Sequence, residues 1–482
     1  MSTSPASPPE SAFLSVSSAK GRGTLIAVTL GSGIAILDGS VVNVALKVIG
    51  TELDASLAQL QWVVNGYMLA LASLVLVGGA LSDRWGRKRV YLVGMGWFLV
   101  GSIACAFAQS PDQLIAMRVV QGVGAAMLTP GALAIIQSSY APQDRGAAIG
   151  TWAGMSGIAA AIGPFVGGWI VDNASWRWIF AINVPLCLAV IGLAWWAAPE
   201  SRAPAAGRFD RIGAALAVLG LGALTFAVTD ATSGRTRLLV VVSGIAIAAI
   251  IAFLLVERRA PNPLLPLSLF RSRIFSAANA MTFLVYGALG VVFFVLVLQL
   301  QVAAGWSALA AGLTSLPLTI ALMLFSPSAG KLATRIGPRV PMTFGPLACA
   351  VGVLLLLGAG AGTRWYDVLA GLVVFSLGLA LLVSPLTTAV LAAVPDDHAG
   401  IASGINNAVA RAGSLLAVAA LPVVAGLSGD AYLDPIAMTS GYRISMIACA
   451  VLMAGGGITS WFGLRGHQLT TDETDRRARK MA

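Results

Sequence analysis

The chain has 482 residues, 57% of them hydrophobic and only 10% Asp, Glu, Lys or Arg, with a formal net charge of +10. Soluble domains carry roughly 25% charged residues, so an ordinary soluble globular protein is excluded. The positive charge does not point to nucleic acid, because the cations stand in short breaks between apolar runs, where they act as an orientation signal.

Apolar runs of bilayer-crossing length, about 20 residues, recur along nearly the whole chain. The alternation expected of a membrane β-barrel is absent. The sequence therefore predicts an all-α polytopic membrane protein. Residues 1–22 form a cytoplasmic tail expected to be disordered. Its first 19 residues are rich in Ser, Ala and Pro and lack the basic start of a cleaved signal. Fourteen spans follow, over 24–49, 59–81, 90–109, 112–139, 146–171, 177–197, 212–230, 238–256, 274–302, 307–329, 341–361, 365–392, 400–426 and 442–463.

With both termini cytoplasmic, 22 of the 30 Lys and Arg fall inside, six fall outside (Lys47, Arg177, Arg235, Arg237, Arg364, Arg443), and Arg118 and Arg411 lie within helices. That bias supports 14 spans, since a 13-span count carries the last five cations across the membrane. The densest charge knot lies between the second and third spans. Asp83, Arg84, Arg87, Lys88 and Arg89 occupy seven residues, flanked by uncharged runs.

The knot repeats. Gly79-Ala-Leu-Ser-Asp-Arg-Trp-Gly-Arg-Lys is echoed by Gly330-Lys-Leu-Ala-Thr-Arg-Ile-Gly-Pro-Arg, and Gly94 maps onto Gly345. Pro142 to Gly150 is echoed by Pro395 to Gly404. Internal repeats of this kind mark transporter folds. They predict an N-terminal six-helix bundle over 23–200, a linker with two extra helices over 201–260, a C-terminal six-helix bundle over 261–465 and a basic tail over 466–482.

Four stretches, in order, carry a family resemblance. They are Leu37-Asp-Gly-Ser-Val-Val-Asn-Val-Ala-Leu46, the knot at Gly78 to Val90, Arg118-Val-Val-Gln-Gly122, and Gly163-Pro-Phe-Val-Gly-Gly168. With them the chain resembles the major facilitator superfamily in its 14-helix drug:proton antiporter branch. The match is dense over the first 170 residues and thin thereafter. Lys47 stands where that branch usually has a proline, and Thr334 replaces the knot's acid in the repeat. The resemblance implies a monomeric exporter of hydrophobic or amphipathic small molecules in a bacterial plasma membrane. It would be driven by the proton gradient and would need no cofactor. A proton-coupled importer of a small metabolite is the alternative on the same fold.

Asp38 stands near the middle of the first span. A charged residue at the bilayer centre costs about 2.5–3.5 kcal/mol on insertion scales, so it faces a cavity or a partner. Burial favours a carboxyl's neutral form and a nearby cation its charged form. An acid held between the two can load and release a proton. A packing acid bonded to backbone or to Asn43 is the competing reading. Arg118 is the expected counter-charge, with Gln121 on its helix face. Candidate cavity residues are Asn43, Trp62, Tyr67, Gln121, Trp152, Tyr286, Asn406, Asn407 and Arg411. Trp176, Trp178 and Trp365 read instead as interfacial belts.

Gly163, Pro164, Gly167 and Gly168 let a neighbouring helix approach closely and bend their own. The resemblance links them to antiport. Gly79, Asp83, Arg84, Gly86 and Arg87, with Gly330, Arg335 and Gly337 in the repeat, are read as a cytoplasmic latch rather than a topology signal alone, in which Asp83 caps the start of the next helix or pairs with a cation from another helix. The four cysteines all lie in apolar runs without CxxC or CxxH spacing, so neither metal nor disulfide is expected. There is no P-loop and the two histidines lie near loops, so neither an enzyme nor ATP-driven transport is predicted.

Overall fold

A computed structural model describes residues 13–202, 210–231, 235–261, 263–394 and 399–465. Most of both expected tails (1–12 and 466–482), and the part of the second repeat echo over 395–398, lie outside the described residues. The described residues are built of helices, with one isolated bridge between Leu14 and Tyr140.

In chain order the helices are α1 (Ala19–Leu53), α2 (Leu57–Trp85), α3 (Arg87–Ala106), α4 (Pro111–Ser139), α5 (Pro142–Asn173), α6 (Trp178–Ala181), α7 (Asn183–Ala197), α8 (Arg211–Thr229) and α9 (Thr236–Arg259). There follow α10 (Arg273–Val302), α11 (Ala308–Leu313), α12 (Leu316–Ile336), α13 (Arg339–Leu355), α14 (Trp365–Ala392), α15 (Ala399–Val424) and α16 (Pro435–Gly463). Among the described residues 13 helices are long and apolar enough to cross a membrane, with α6 and α7 in one span and α11 and α12 in another. The count reaches 14 when α2, bent by 50° between Val75 and Val77, is taken as one span.

Hydrocarbon offers no hydrogen bonds, so the spanning backbone satisfies itself as helix, and the remaining ends need caps. Ser56 and Gln59 form a capping box on α2. Ser110 caps α4 ahead of Pro111, and Ser272 caps α10. The last span begins at Pro435, seven residues before the hydropathy boundary. The Asp434 carboxylate accepts from the amides of Ile436 and Ala437, at 3.3 and 3.1 Å, and the cap brings Arg443 inside the helix. Likewise α1 runs straight through Lys47 and stops only at Asp54, in the left-handed region at φ 52°. Without the branch's usual proline, nothing removes a backbone donor there.

Contacts divide the chain into two compact units. One comprises residues 1–224, 240–264 and 307–313, the other 225–239, 265–306 and 314–482. In the first, α3 and α4 cross through glycines. A β-carbon on Gly94 would stand 3.0 Å from the Gly124 carbonyl oxygen, and one on Gly124 would stand 2.7 Å from that of Gly94. In the second unit α13 and α14 repeat the device. A β-carbon on Gly345 would lie 2.8 Å from the Gly378 oxygen, and one on Gly378 would lie 2.6 Å from that of Gly345. The mapping of Gly94 onto Gly345 in the sequence repeat thus marks the same backbone-to-backbone crossing in both halves. Side chains of the first unit's core, among them Tyr91, Phe98, Ile135 and Cys187, close around its version.

Gly124→Val should therefore force α3 and α4 apart and destabilise the fold by about 1–3 kcal/mol. Gly154→Ala, which meets nothing within 4 Å, should leave the melting temperature in detergent unchanged or slightly higher. Thermal unfolding of the two variants checks the contrast.

Candidate functional site

The polar centre of the first unit is built on Asp38, halfway along α1 and wholly buried. Arg118 of α4, 1% exposed, donates from Nη1 to Asp38 Oδ2. Gln121, one turn further on α4, donates from Nε2 to Asp38 Oδ1 at 2.8 Å and accepts from Arg118 Nη1 at 2.6 Å. Asn183, the first residue of α7, donates from Nδ2 to the same Oδ1 at 2.9 Å. Ser102 Oγ of α3 accepts from Gln121 at 2.8 Å and from Asn183 at 3.4 Å. Arg118 also donates from Nε to the Val63 carbonyl of α2 at 3.1 Å.

Two aromatic rings complete the enclosure. The Arg118 guanidinium carbon lies 4.3 Å from the Tyr67 ring centroid and 5.7 Å from that of Phe180. The Tyr67 hydroxyl donates to the Ala35 carbonyl at 2.9 Å. Helices α1, α2, α3, α4, α6 and α7 therefore all supply atoms to one charge pair. Asn183 Oδ1 is buried with no partner, which leaves one acceptor in the cluster free for a proton donor.

Asp38, Arg118 and Gln121 meet as the sequence suggested. Asn43 does not join them: Asp38 takes its bonds from Arg118, Gln121 and Asn183, and Asn43 Oδ1 is left without a partner. Tyr67 and Gln121, read from the sequence as cavity candidates, are committed to the charge pair. Trp152 is half-buried and donates from Nε1 to Ser32 Oγ of α1 at 2.9 Å. Trp62 and Tyr286 are half-buried on α2 and α10.

In the second unit Asn406 of α15 donates to Asn279 Oδ1 at 3.2 Å and to Thr282 Oγ1 at 2.9 Å, both on α10. Asn407 is exposed and bonds the Ser403 carbonyl of its own helix, and Arg411 is half-buried one turn further on. Sequence reading missed Ser102, Phe180 and Asn183. Asn183 was detectable as a carboxamide inside an otherwise apolar span, a costly placement that marks a partner.

On α5 the glycines do what their pattern suggests. A β-carbon on Gly163 would collide with Ser40 Oγ, and one on Gly167 with Val41, both on α1. A β-carbon on Gly168 would stand 2.5 Å from Leu309 Cα and 2.7 Å from the Ala308 carbonyl oxygen, and one on Gly312 would collide with the Pro164 carbonyl oxygen. The Asp172 carboxylate accepts from the amides of Ala308 and Leu309, both at 2.9 Å. Segment 307–313 is thereby held on α5.

At the charge knot, Asp83 pairs with Arg87 at 3.1 Å. Gly86 at φ 113° makes the turn between α2 and α3, and Gly337 at φ 81° makes its repeat between α12 and α13. Such angles favour glycine. Arg84 and Arg335 are exposed, Gly79 lies against Pro130, and Gly330 lies against Ser384. The start of α3 is capped not by Asp83 but by Glu200, which sequence reading had not singled out. Its two oxygens accept from the amides of Lys88 at 3.1 Å and Arg89 at 3.2 Å.

Trp176 is not an interfacial belt residue. It is fully buried and donates from Nε1 to Glu52 Oε2 at 2.8 Å, while Arg177 pairs with the same oxygen at 3.1 Å. Trp178 is exposed, as a belt residue would be.

The family model described as "Major Facilitator Superfamily" matches residues 28–418 and again 281–478. The chain belongs to the major facilitator superfamily. This facilitator is a multi-pass membrane transporter and not an enzyme. It is 34% identical to the methylenomycin A resistance protein of Bacillus subtilis (strain 168) over 458 residues, 94% of this chain and 96% of that one. It is 33% identical to the tetracenomycin C resistance and export protein of Streptomyces glaucescens, covering 85% of this chain and 77% of that one. A bacterial homologue of the human lysosomal transporter Spinster, in an inward-facing and occupied conformation, superimposes with a TM-score of 0.67. The superposition covers 94% of this chain and 98% of that one at 16% identity, a likeness of fold.

Removing one member of the central pair strands the other charge. Arg118→Met is expected to cost about 3–5 kcal/mol, and most of that loss should return in the double variant Asp38→Leu/Arg118→Met. Thermal unfolding of the purified variants, run as a double-mutant cycle, measures the recovery. At the knot, Glu200→Ala should cost about 0.5–2 kcal/mol through the lost cap. Asp83→Asn removes only a partly exposed ion pair and should cost less than about 1 kcal/mol. The same unfolding assay ranks the two.

Proposed function

We propose that this facilitator exports hydrophobic or amphipathic compounds across a bacterial plasma membrane in exchange for protons, with Asp38 as the proton carrier. The observation that supports the reading is the company Asp38 keeps. Its partners are one guanidinium and two carboxamide donors, with no second acid among them. A proton on Asp38 removes the charge that holds Arg118, so the guanidinium turns to its remaining acceptors, Val63 O and Gln121 Oε1. Loss of the proton restores the pair. Because Arg118 also stacks on Tyr67 and Phe180, this exchange bears on α2 and α6 as well as on α1 and α4. Alternating access is then biased by a single protonation, and substrate and proton compete for one conformational equilibrium.

Two relatives support the direction and the substrate class: one is a resistance protein and another a resistance and export protein. On this reading the proton gradient supplies the energy, the monomer is the working unit, and no bound cofactor is required. Asp83 and Arg87, paired at 3.1 Å beside the turn between α2 and α3, act as a latch on the cytoplasmic side.

In a drug-sensitive bacterial strain, expression should raise the inhibitory concentration of hydrophobic antibiotics, and an uncoupler should cancel the gain. In proteoliposomes with a trapped pH dye, adding a transported drug should collapse an imposed pH gradient. Asp38→Asn should abolish both effects while the protein still reaches the membrane. Drug-driven proton flux that persists in Asp38→Asn would remove Asp38 from the coupling.

A further inference from the structure

In the second unit, α13 and α16 leave an apolar crevice of about 240 Å³ lined by Thr343, Phe344, Leu347, Ile458, Trp461 and Phe462. Its aromatic walls are exposed, Phe344 at 52% and Phe462 at 49%. Three arginines gather at its mouth. Arg339, the first residue of α13, donates from Nε to the Trp461 carbonyl at 3.0 Å, and its guanidinium lies 3.7 Å from the Trp461 ring centroid. Arg273, the first residue of α10, donates to the Phe462 carbonyl at 2.9 Å. Arg465, just beyond α16, stacks on Phe462 at 4.5 Å.

Cations at a helix C-terminus are ordinary caps, but capping uses little of this cluster. Arg339 and Arg273 each spend one of five N–H donors on a carbonyl. Among the described residues no carboxylate lies within ion-pair distance of any of the three. Thr343 lines the crevice but is only 4% exposed, with its Oγ1 buried, so the slot itself is apolar.

We propose that this crevice is a binding site for one anionic phospholipid of the leaflet that the charge distribution assigns to the cytoplasm. An acyl chain fills the apolar slot between α13 and α16. The phosphate sits among the spare donors of Arg339, Arg273 and Arg465. Basic clusters between membrane helices select anionic headgroups in this way, and an indole beside them matches the interfacial depth. The site belongs to the second unit and does not depend on the exchange reading.

Native mass spectrometry of the full chain, purified in detergent and titrated with phosphatidylglycerol or phosphatidylcholine of the same acyl chains, tests it. One phosphatidylglycerol should be retained with a preference of about thirtyfold or more, the scale expected of two or three guanidiniums near one charged headgroup at about 1 kcal/mol each. Arg339→Gln/Arg465→Gln should erase the preference. Arg443→Gln, an exposed arginine elsewhere on α16, should leave it intact. Leu347→Trp, which fills the slot with the charges kept, should displace both lipids. Equal retention of the two lipids, or a preference that survives the double arginine variant, would overturn the proposal. So would a dimer that carries no lipid on this face, which would assign it to a second copy of the chain.

Discussion

A carboxylate and a guanidinium buried against apolar helices set the terms for the first unit. Neither charge is tolerable alone in a medium of low dielectric, and each is tolerable only while the other is in place. The solution is a network of donors and acceptors around Asp38: Arg118, Gln121, Asn183 and Ser102, walled by Tyr67 and Phe180. A one-residue slip of α1, α3, α4 or α7 would strand a buried polar group. The pair therefore acts as a register pin for its neighbours.

The rest of the packing relies on close backbone approach. Between membrane helices there is little hydrophobic gain in exchanging lipid for protein, so dispersion across well-fitted surfaces must hold them. Gly94 with Gly124 and Gly345 with Gly378 bring helix backbones together in each unit, and Gly163, Gly167 and Gly168 do the same along α5. The first two crossings occupy equivalent repeat positions. The turn glycines Gly86 and Gly337 repeat in the same way, each at positive φ. What the two halves share most clearly is thus a set of positions where a β-carbon is forbidden. The charges between those positions are free to diverge, and they do: Asp83 in the first half corresponds to Thr334 in the second.

At the ends of the helices, where water can reach, the charges serve local backbone needs. Glu200 caps α3, Asp172 holds the amides of segment 307–313, Asp434 starts α16, and Glu52 joins Trp176 to Arg177. None of these acids stands out in the chain by motif or spacing. Each is legible only once the amide or indole it serves has been brought to it from elsewhere in the fold.

The sequence by itself determined the class, the spans, the repeat and half of the central cluster. Hydropathy is a property of consecutive residues, a buried charge in an apolar run stands out without coordinates, and glycine spacing survives as pattern. Asp38, Arg118 and Gln121 could be named for those reasons. Boundaries failed where a cap overrode hydropathy, as at Pro435, where seven less apolar residues extend the helix because Asp434 satisfies its first amides. Only the tertiary structure decided the partners. Asn183 rather than Asn43 reaches Asp38, Glu200 rather than Asp83 caps α3, and Trp176 is buried on Glu52 rather than floating at the interface. Those choices depend on which helix faces meet across 80 to 150 residues of chain, and local sequence carries no record of that distance.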